Sequence, residues 1–314
     1  VGARCIARAR SARRAPACGR LPRDAQRDPL ATTGEASPVT ALLGLVTAVT
    51  WAFSNLFTHR LSRLELEFPV VVAGIIGVAT AALIPLAVIV DRGEGPWTLA
   101  ALAWPVVGGI SATAGLFLLV RALSVGSLSV VAPIIAVEGG IAAALSVLLG
   151  ERPSAAQIAM MAVAIVGAVL VSMGPGNRTA AGAIPAALGA FAYAVAWVAI
   201  GMSELPSMTT VAVQRGTSLI LVLPLVLLLC SNRLPPRASF APFLWCGLLD
   251  AAGYVTFALA TAVGSIAVAS VAATQWTTAA AVIGIVILKE RLQRIQYVGI
   301  VVTLAAVSAL VLLS

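Results

Sequence analysis

Residues 109–130, GISATAGLFLLVRALSVGSLSV, are answered by residues 247–268, GLLDAAGYVTFALATAVGSIAV. At a spacing of 138 residues Gly109, Gly115, Ala122, Val125, Gly126, Ser127 and Val130 recur as Gly247, Gly253, Ala260, Val263, Gly264, Ser265 and Val268. One residue further out of step, Glu151, Arg152 and Gln157 recur as Glu290, Arg291 and Gln296. Both copies are embedded in sequence apolar enough to cross a bilayer. Two hydrophobic halves of common origin can rock about a central site that opens to either side, so the duplication points toward transport.

Composition narrows the class. Of the 314 residues 60% are hydrophobic and 10% charged, far from the roughly half-apolar, quarter-charged balance of soluble domains. The chain is read as a polytopic membrane protein whose first partner is the lipid bilayer. A formal charge of +8 would suit nucleic acid in a soluble chain, but eight arginines fall within the first 27 residues. Basic charge beside membrane spans serves orientation and lipid contact instead, and no nucleic-acid partner is expected. Cys5, Cys18, Cys230 and Cys246 lack metal or redox spacing and His59 is the one histidine, so neither a metal nor a cofactor is expected. No GxxxxGK[ST] or GxGxxG motif follows a plausible strand, which leaves nucleotide-driven pumping unsupported.

Residues 1–37 are rich in Arg, Ala and Pro with no spanning run, and read as a disordered basic tail. The tail resembles a transit peptide, but 19 arginines to one lysine favour a start assigned too early in a GC-rich genome. From Pro38 onward, ten runs of about 20 apolar residues alternate with short polar joints, each long enough as a helix for a hydrocarbon core of roughly 30 Å. They cover 38–58, 69–90, 98–120, 129–149, 154–173, 180–201, 209–230, 241–262, 265–288 and 293–313. Helix is required because each backbone group must be satisfied within its own segment. The joint Gly174-Pro175-Gly176-Asn177-Arg178 divides them into halves at 38–173 and 180–314. Five spans is odd, so the second half enters the membrane from the opposite side. The expected fold is therefore all-α: ten transmembrane helices as two inverted five-helix repeats.

Two five-helix halves, each with a VGS segment before its fourth helix (Ala122-Leu123-Ser124-Val125-Gly126-Ser127 and Ala262-Val263-Gly264-Ser265), carry a family likeness. The joints Gly150-Glu151-Arg152-Pro153 and Lys289-Glu290-Arg291-Leu292 close the two fourth helices, and Ala48-Val49-Thr50-Trp51 stands against Ala194-Val195-Ala196-Trp197. In these features the chain, over 38–314, resembles the EamA family of the drug/metabolite transporter superfamily. The resemblance implies ten helices around a central cavity, alternating access and movement of small metabolites, often amino acids or related compounds, with both termini in the cytoplasm. It implies neither a substrate nor a fixed set of functional residues.

Ionisable groups inside the spans are the sharpest signal from the residues themselves, since a charge at the bilayer centre costs at least about 2.5–3.5 kcal/mol on insertion scales. Glu138 lies near the middle of the fourth span, Asp250 near the middle of the eighth, and Arg215 about one turn short of the middle of the seventh. They can neutralise one another, with Arg215 in a static salt bridge, or bind a zwitterion whose carboxylate meets Arg215 and whose amine meets an acid. Arg215 can alternatively snorkel toward an interface. A buried carboxyl beside another acid is also a candidate for proton coupling. Asp250 and Tyr254, and Trp51 and Asn55, are each four apart and share a helical face. Gln275 and Trp276 stand at the middle of the ninth span, where Trp276 holds the repeat position of Glu138, and Trp197 matches Trp51. These aromatics suit a cavity that stacks on an organic solute or cation, or else plain helix packing. Pro85, Pro105, Pro133 and Pro224 read as kinks, with Pro133 alternatively starting a helix.

The leading reading is a secondary transporter of a small organic metabolite, amino-acid-like or a drug, exporting it by alternating access from a bacterial inner or plasma membrane with protons as a candidate coupling ion. The alternatives are an intramembrane enzyme acting on lipid or peptide, which lacks a Ser/His or His/Glu-metal constellation, and a membrane scaffold or sensor. Residue patterns carry no information on oligomeric state.

Overall fold

Among the described residues every regular element is helical. The computed structural model describes residues 37–62, 66–173, 180–230, 239–287, 289 and 292–313, without the side chains of His59, Arg60, Ser62, Leu128, Ser129 and Ala180. The basic tail before residue 37, the joint at 174–178, and Glu290 and Arg291 of the second acidic-basic joint lie outside them. In chain order the helices are α1 (Pro38–Ser62), α2 (Phe68–Val90), α3 (Leu99–Val125), α4 (Leu128–Ile135), α5 (Glu138–Leu148), α6 (Ala155–Ser172), α7 (Ala183–Gly201), α8 (Ser207–Leu229), α9 (Phe240–Val263), α10 (Ile266–Ala273), α11 (Trp276–Val286) and α12 (Arg294–Leu312). They make ten membrane spans, the fourth being α4 with α5 and the ninth α10 with α11.

The repeated sequence is repeated structure. Ser154 and Gln157 form a capping box at the start of α6, and Gln293 and Gln296 form its counterpart at the start of α12. Each satisfies amides that a helix start leaves without partners. The principal packing partners are α1 with α9 and α3 with α7, then α2 with α8 and α6 with α12, then α2 with α9 and α3 with α8. Every pair is its own image, or the image of its neighbour, when the halves are exchanged. The halves therefore interlock, each burying its helices against the other.

Recurrent glycines mark those crossings. A Cβ on Gly109 would lie 2.6 Å from Thr217 Cβ of α8, and one on Gly247 would lie 2.5 Å from Val78 Cβ of α2. No side chain fits at either point, and close approach is what binds helices that gain nothing from hydrophobic burial in lipid. The outer surface is the apolar one: Val88, Ile184, Ile220, Leu228 and Val301 are all exposed. Threonine, serine and alanine fill much of the interior. Thr47 bonds Thr256 at 2.8 Å between α1 and α9, and Ser218 donates to the Gly109 carbonyl at 3.0 Å between α8 and α3.

Three expectations change. The fourth and ninth spans, read as continuous over 129–149 and 265–288, are each broken for one turn at Ala136-Val137 and Thr274-Gln275. The breaks are 138 residues apart, the repeat spacing. In the ninth span Thr274 Oγ1 donates to the Ser270 carbonyl at 2.7 Å and Gln275 Nε2 to the Val271 carbonyl at 3.0 Å, engaging acceptors on which the helical ladder depends. At the matching break the amide of Val137 bonds the Ile134 carbonyl, three residues back, just ahead of the poor helix formers Gly139 and Gly140. Pro85, Pro105, Pro133 and Pro224 all lie inside helices, and Pro133, near the end of α4, does not start one. Helix α3 also continues past the expected end at 120, carrying the exposed Arg121 beyond the apolar stretch.

Candidate substrate cavity

The broken spans carry their first downstream residues to the centre of the molecule. Glu138 opens α5 and Trp276 opens α11, and the Trp276 indole N–H donates to Glu138 Oε1 at 3.2 Å. These two residues are repeat mates, so their contact marks the point where the halves meet. Trp51 of α1 and Trp197 of α7, the other matched aromatics, also touch, with ring centroids 4.6 Å apart. Tyr254 meets Trp51 edge-on at 5.5 Å, and Phe257 lies 5.0 Å from Trp197.

Above this aromatic layer is a cavity of about 280 Å³. Glu138, Arg215, Asp250, Tyr254, Trp276, Trp51, Asn55 and Trp197 all line it. The ninth residue singled out from the sequence does not. Gln275 is one position out of phase with Trp276; its amide turns back to Val271, and it borders a separate lipid-side groove between α1, α11 and α12. Sequence depth located that residue at the right level but could not assign its face.

Arg215 does not snorkel. Its Nη2 donates to both Asp250 oxygens, at 2.7 and 2.6 Å, and its guanidinium carbon lies 3.8 Å over the centre of the Tyr254 ring. The pair is nearly buried, with side-chain exposures of 10% and 13%. Breaking one member of such a pair costs far more than the pair contributes as a unit, because the survivor is a stranded charge. Glu138, 3% exposed, differs: its hydrogen-bond donor is a neutral indole.

Several lining residues escaped the sequence reading. Tyr193 sits one helical turn before Trp197 on α7, a spacing of four that gives the two a common face and could have revealed it. A Cβ on the recurrent Gly115 would lie 3.1 Å from the Tyr193 ring, which explains why that position is small. Ser54 and Thr58 follow Trp51 along α1 and bond Cys246 Sγ at 3.2 and 3.1 Å. Nothing in an isolated serine or threonine distinguishes such residues from ordinary helix contacts.

The cavity is asymmetric along the membrane normal. Its lining reaches from the aromatic layer to Thr58 near the end of α1 and Phe68 in the first turn of α2, and so toward the face where α1, α3 and α8 end. On the opposite, terminal face, where α1 begins and α12 ends, two carboxylates cap helices of the other half. Asp91 accepts from the amide and hydroxyl of Thr209, both at 2.7 Å, in the first turn of α8. Glu151 accepts from Ser265 Oγ at 2.9 Å and from the amides of Ile266 and Ala267 at 2.6 and 3.0 Å, at the start of α10. Each supplies negative charge where the helix dipole and free amides call for it. The joint acid noticed in the sequence is thus a clamp between halves.

Ten spans in two interlocked, inverted repeats around a central cavity define the architecture of a membrane carrier. The model of the EamA-like transporter family matches residues 39–173 and again 180–312, and the chain belongs to that family. No curated protein matches. Among solved structures, one titled "Crystal structure of protein" is similar over 89% of this chain and 100% of its own, at 17% identity and a TM-score of 0.75. At that identity the likeness speaks for the fold alone.

Proposed function

We propose that this chain is a secondary transporter that exports a small organic metabolite, amino-acid-like or a drug, by alternating access. Its place of work is the inner or plasma membrane of a bacterium, with both termini cytoplasmic. The observation that carries the reading is the cavity at the meeting point of the repeats, drawn toward one face and clamped on the other by Asp91 and Glu151. An inverted repeat has a second arrangement available in which the halves exchange conformations and the cavity faces the other side. In this reading Glu138, Trp276, Trp51, Trp197, Tyr254 and Asn55 contact the solute, while Arg215 and Asp250 hold the field of the site. Protons are the proposed coupling ion, with Glu138 their carrier. Gln275 has no part in it.

The test is flux. Purified protein in liposomes, loaded in turn with amino acids, amines and small drugs, is expected to release at least one of them faster than protein-free vesicles do, and faster with an imposed pH gradient. Absence of flux across such a panel, with hydrolysis of lipid or peptide by the same preparation, would sink the transporter reading.

A further inference from the structure

Among the described residues three charged side chains line the cavity, and two are already committed. The Arg215 guanidinium chelates Asp250 on one side and is covered by the Tyr254 ring on another. That pair sums to zero. Glu138 remains, and among the described residues it forms no ion pair; its one bond is from the neutral Trp276 indole. Trp51, Tyr193, Trp197, Tyr254 and Trp276 line the same cavity, among aliphatic residues that carry no charge.

We propose that the cavity selects a monocationic amine with an apolar or aromatic body and no carboxylate, with Glu138 as its counter-ion. The inference rests on the reading that this cavity is the solute site, and it narrows the solute's class. A carboxylate enclosed by protein lacks the water that would screen it, so a cation brought beside it gains strongly while an anion is repelled. Aromatic faces act in the same direction, since their quadrupoles attract cations. A zwitterion would need a partner for its carboxylate. The one guanidinium lining it among the described residues is held by Asp250 at hydrogen-bonding distance, so the incoming carboxylate would have to displace a buried acid and strand it. A free amino acid is therefore a poorer fit than the same molecule with its carboxyl removed. A volume of about 280 Å³ suits one ring with a short chain.

Four probes of one shape separate the possibilities: 2-phenylethylamine, 2-phenylethanol, phenylacetate and phenylalanine, titrated against the purified full chain. The signal is intrinsic fluorescence, because Trp51, Trp197 and Trp276 line the site. The amine is expected to bind roughly tenfold or more tightly than the alcohol, and phenylacetate and phenylalanine more weakly than the alcohol. Glu138→Gln should bring the amine and the alcohol to equal affinity, and Glu138→Asp should retain part of the preference. Equal binding of amine and alcohol, or tightest binding of either carboxylate, overturns the cationic preference and leaves the cavity as a solute site. An unchanged amine preference in Glu138→Gln overturns the counter-ion assignment. No response to any probe, in protein that still melts cooperatively, overturns the cavity as the solute site and the cation inference with it. The ranking in the unmutated chain decides the central point even if a Glu138 variant fails to fold.

Discussion

Replacing Glu151 should unlatch the terminal face. Its carboxylate bonds one hydroxyl and two amides at the start of α10, joining the loop after α5 to the opposite half. Glu151 is only partly buried, so water can reach the amides that Glu151→Ala would free, and the scale of helix capping applies rather than that of a buried charge. Losing a cap costs about 1 kcal/mol, and losing negative charge at a helix start about 0.3–1 kcal/mol more. A closed state weakened by about 2 kcal/mol implies an open population raised about 30-fold. Glu151→Gln keeps an acceptor and loses the charge, so its effect should be smaller, about two- to fivefold. The reporter is Ala258→Cys, a position 2% exposed on α9 beside the aromatic layer, in a chain whose four natural cysteines are serine. A membrane-impermeant maleimide applied from the terminal face should label it at rates that rise in the order unmutated, Gln, Ala. If Glu151→Ala labels no faster, the clamp does not hold that face closed. If the rate rises equally from both faces and the melting temperature collapses, the substitution has loosened the whole bundle and the gating argument fails.

Asp250→Asn and Glu138→Gln should part company in a thermal melt. The first strands Arg215 in a buried site, at a cost of about 3–5 kcal/mol, and should lower the melting temperature markedly; the second breaks no ion pair and should impair proton-coupled flux in well-folded protein. Equal melts would mean that the Arg215 pair is not the structural element its geometry indicates. Arg215→Lys retains charge but loses the planar group that lies over Tyr254, so stability should fall by about 1–2 kcal/mol, and a denaturation midpoint equal to the parent's would argue against that stacking. Gly253→Leu should be the most damaging single change among the recurrent glycines near the site, because a side chain there collides with the Trp51 indole; normal expression and flux would refute the packing argument. Orientation sets loop charge against family pattern. By position in the sequence, the joints on the side of the termini hold Arg92 and Arg152 and those on the other side Arg60, Arg63, Arg121, Arg178, Arg233, Arg237, Lys289, Arg291 and Arg294, which the positive-inside rule alone would turn inward unless Arg20, Arg23 and Arg27 ahead of the first span offset the bias. Cytoplasmic termini predict that a C-terminal fluorescent reporter lights up and a phosphatase fusion stays silent; the reverse would hand topology to the loop charges.

The helices, their number and their inverted pairing were legible in one dimension, because apolar length and the absence of water leave a spanning segment no other conformation. Glu138, Asp250 and Arg215 were legible for a related reason: a charge inside an apolar run has few neighbours that can offset it. Which charges join is a different kind of fact. Arg215 and Asp250 are separated by 35 positions and come together only because α8 packs beside α9, leaving Glu138 without an ion pair. Tertiary structure likewise turned Gln275 away and drew in Tyr193, since a rotation of about 100° per residue decides whether a side chain faces the cavity, another helix or lipid. It also broke the fourth and ninth spans at matching points, where side-chain donors in one copy and glycines in the other unsettle a helical ladder that hydrophobicity alone reads as continuous. Periodicity and composition fix what a segment must be. Its partners depend on the angle at which it meets the rest of the chain.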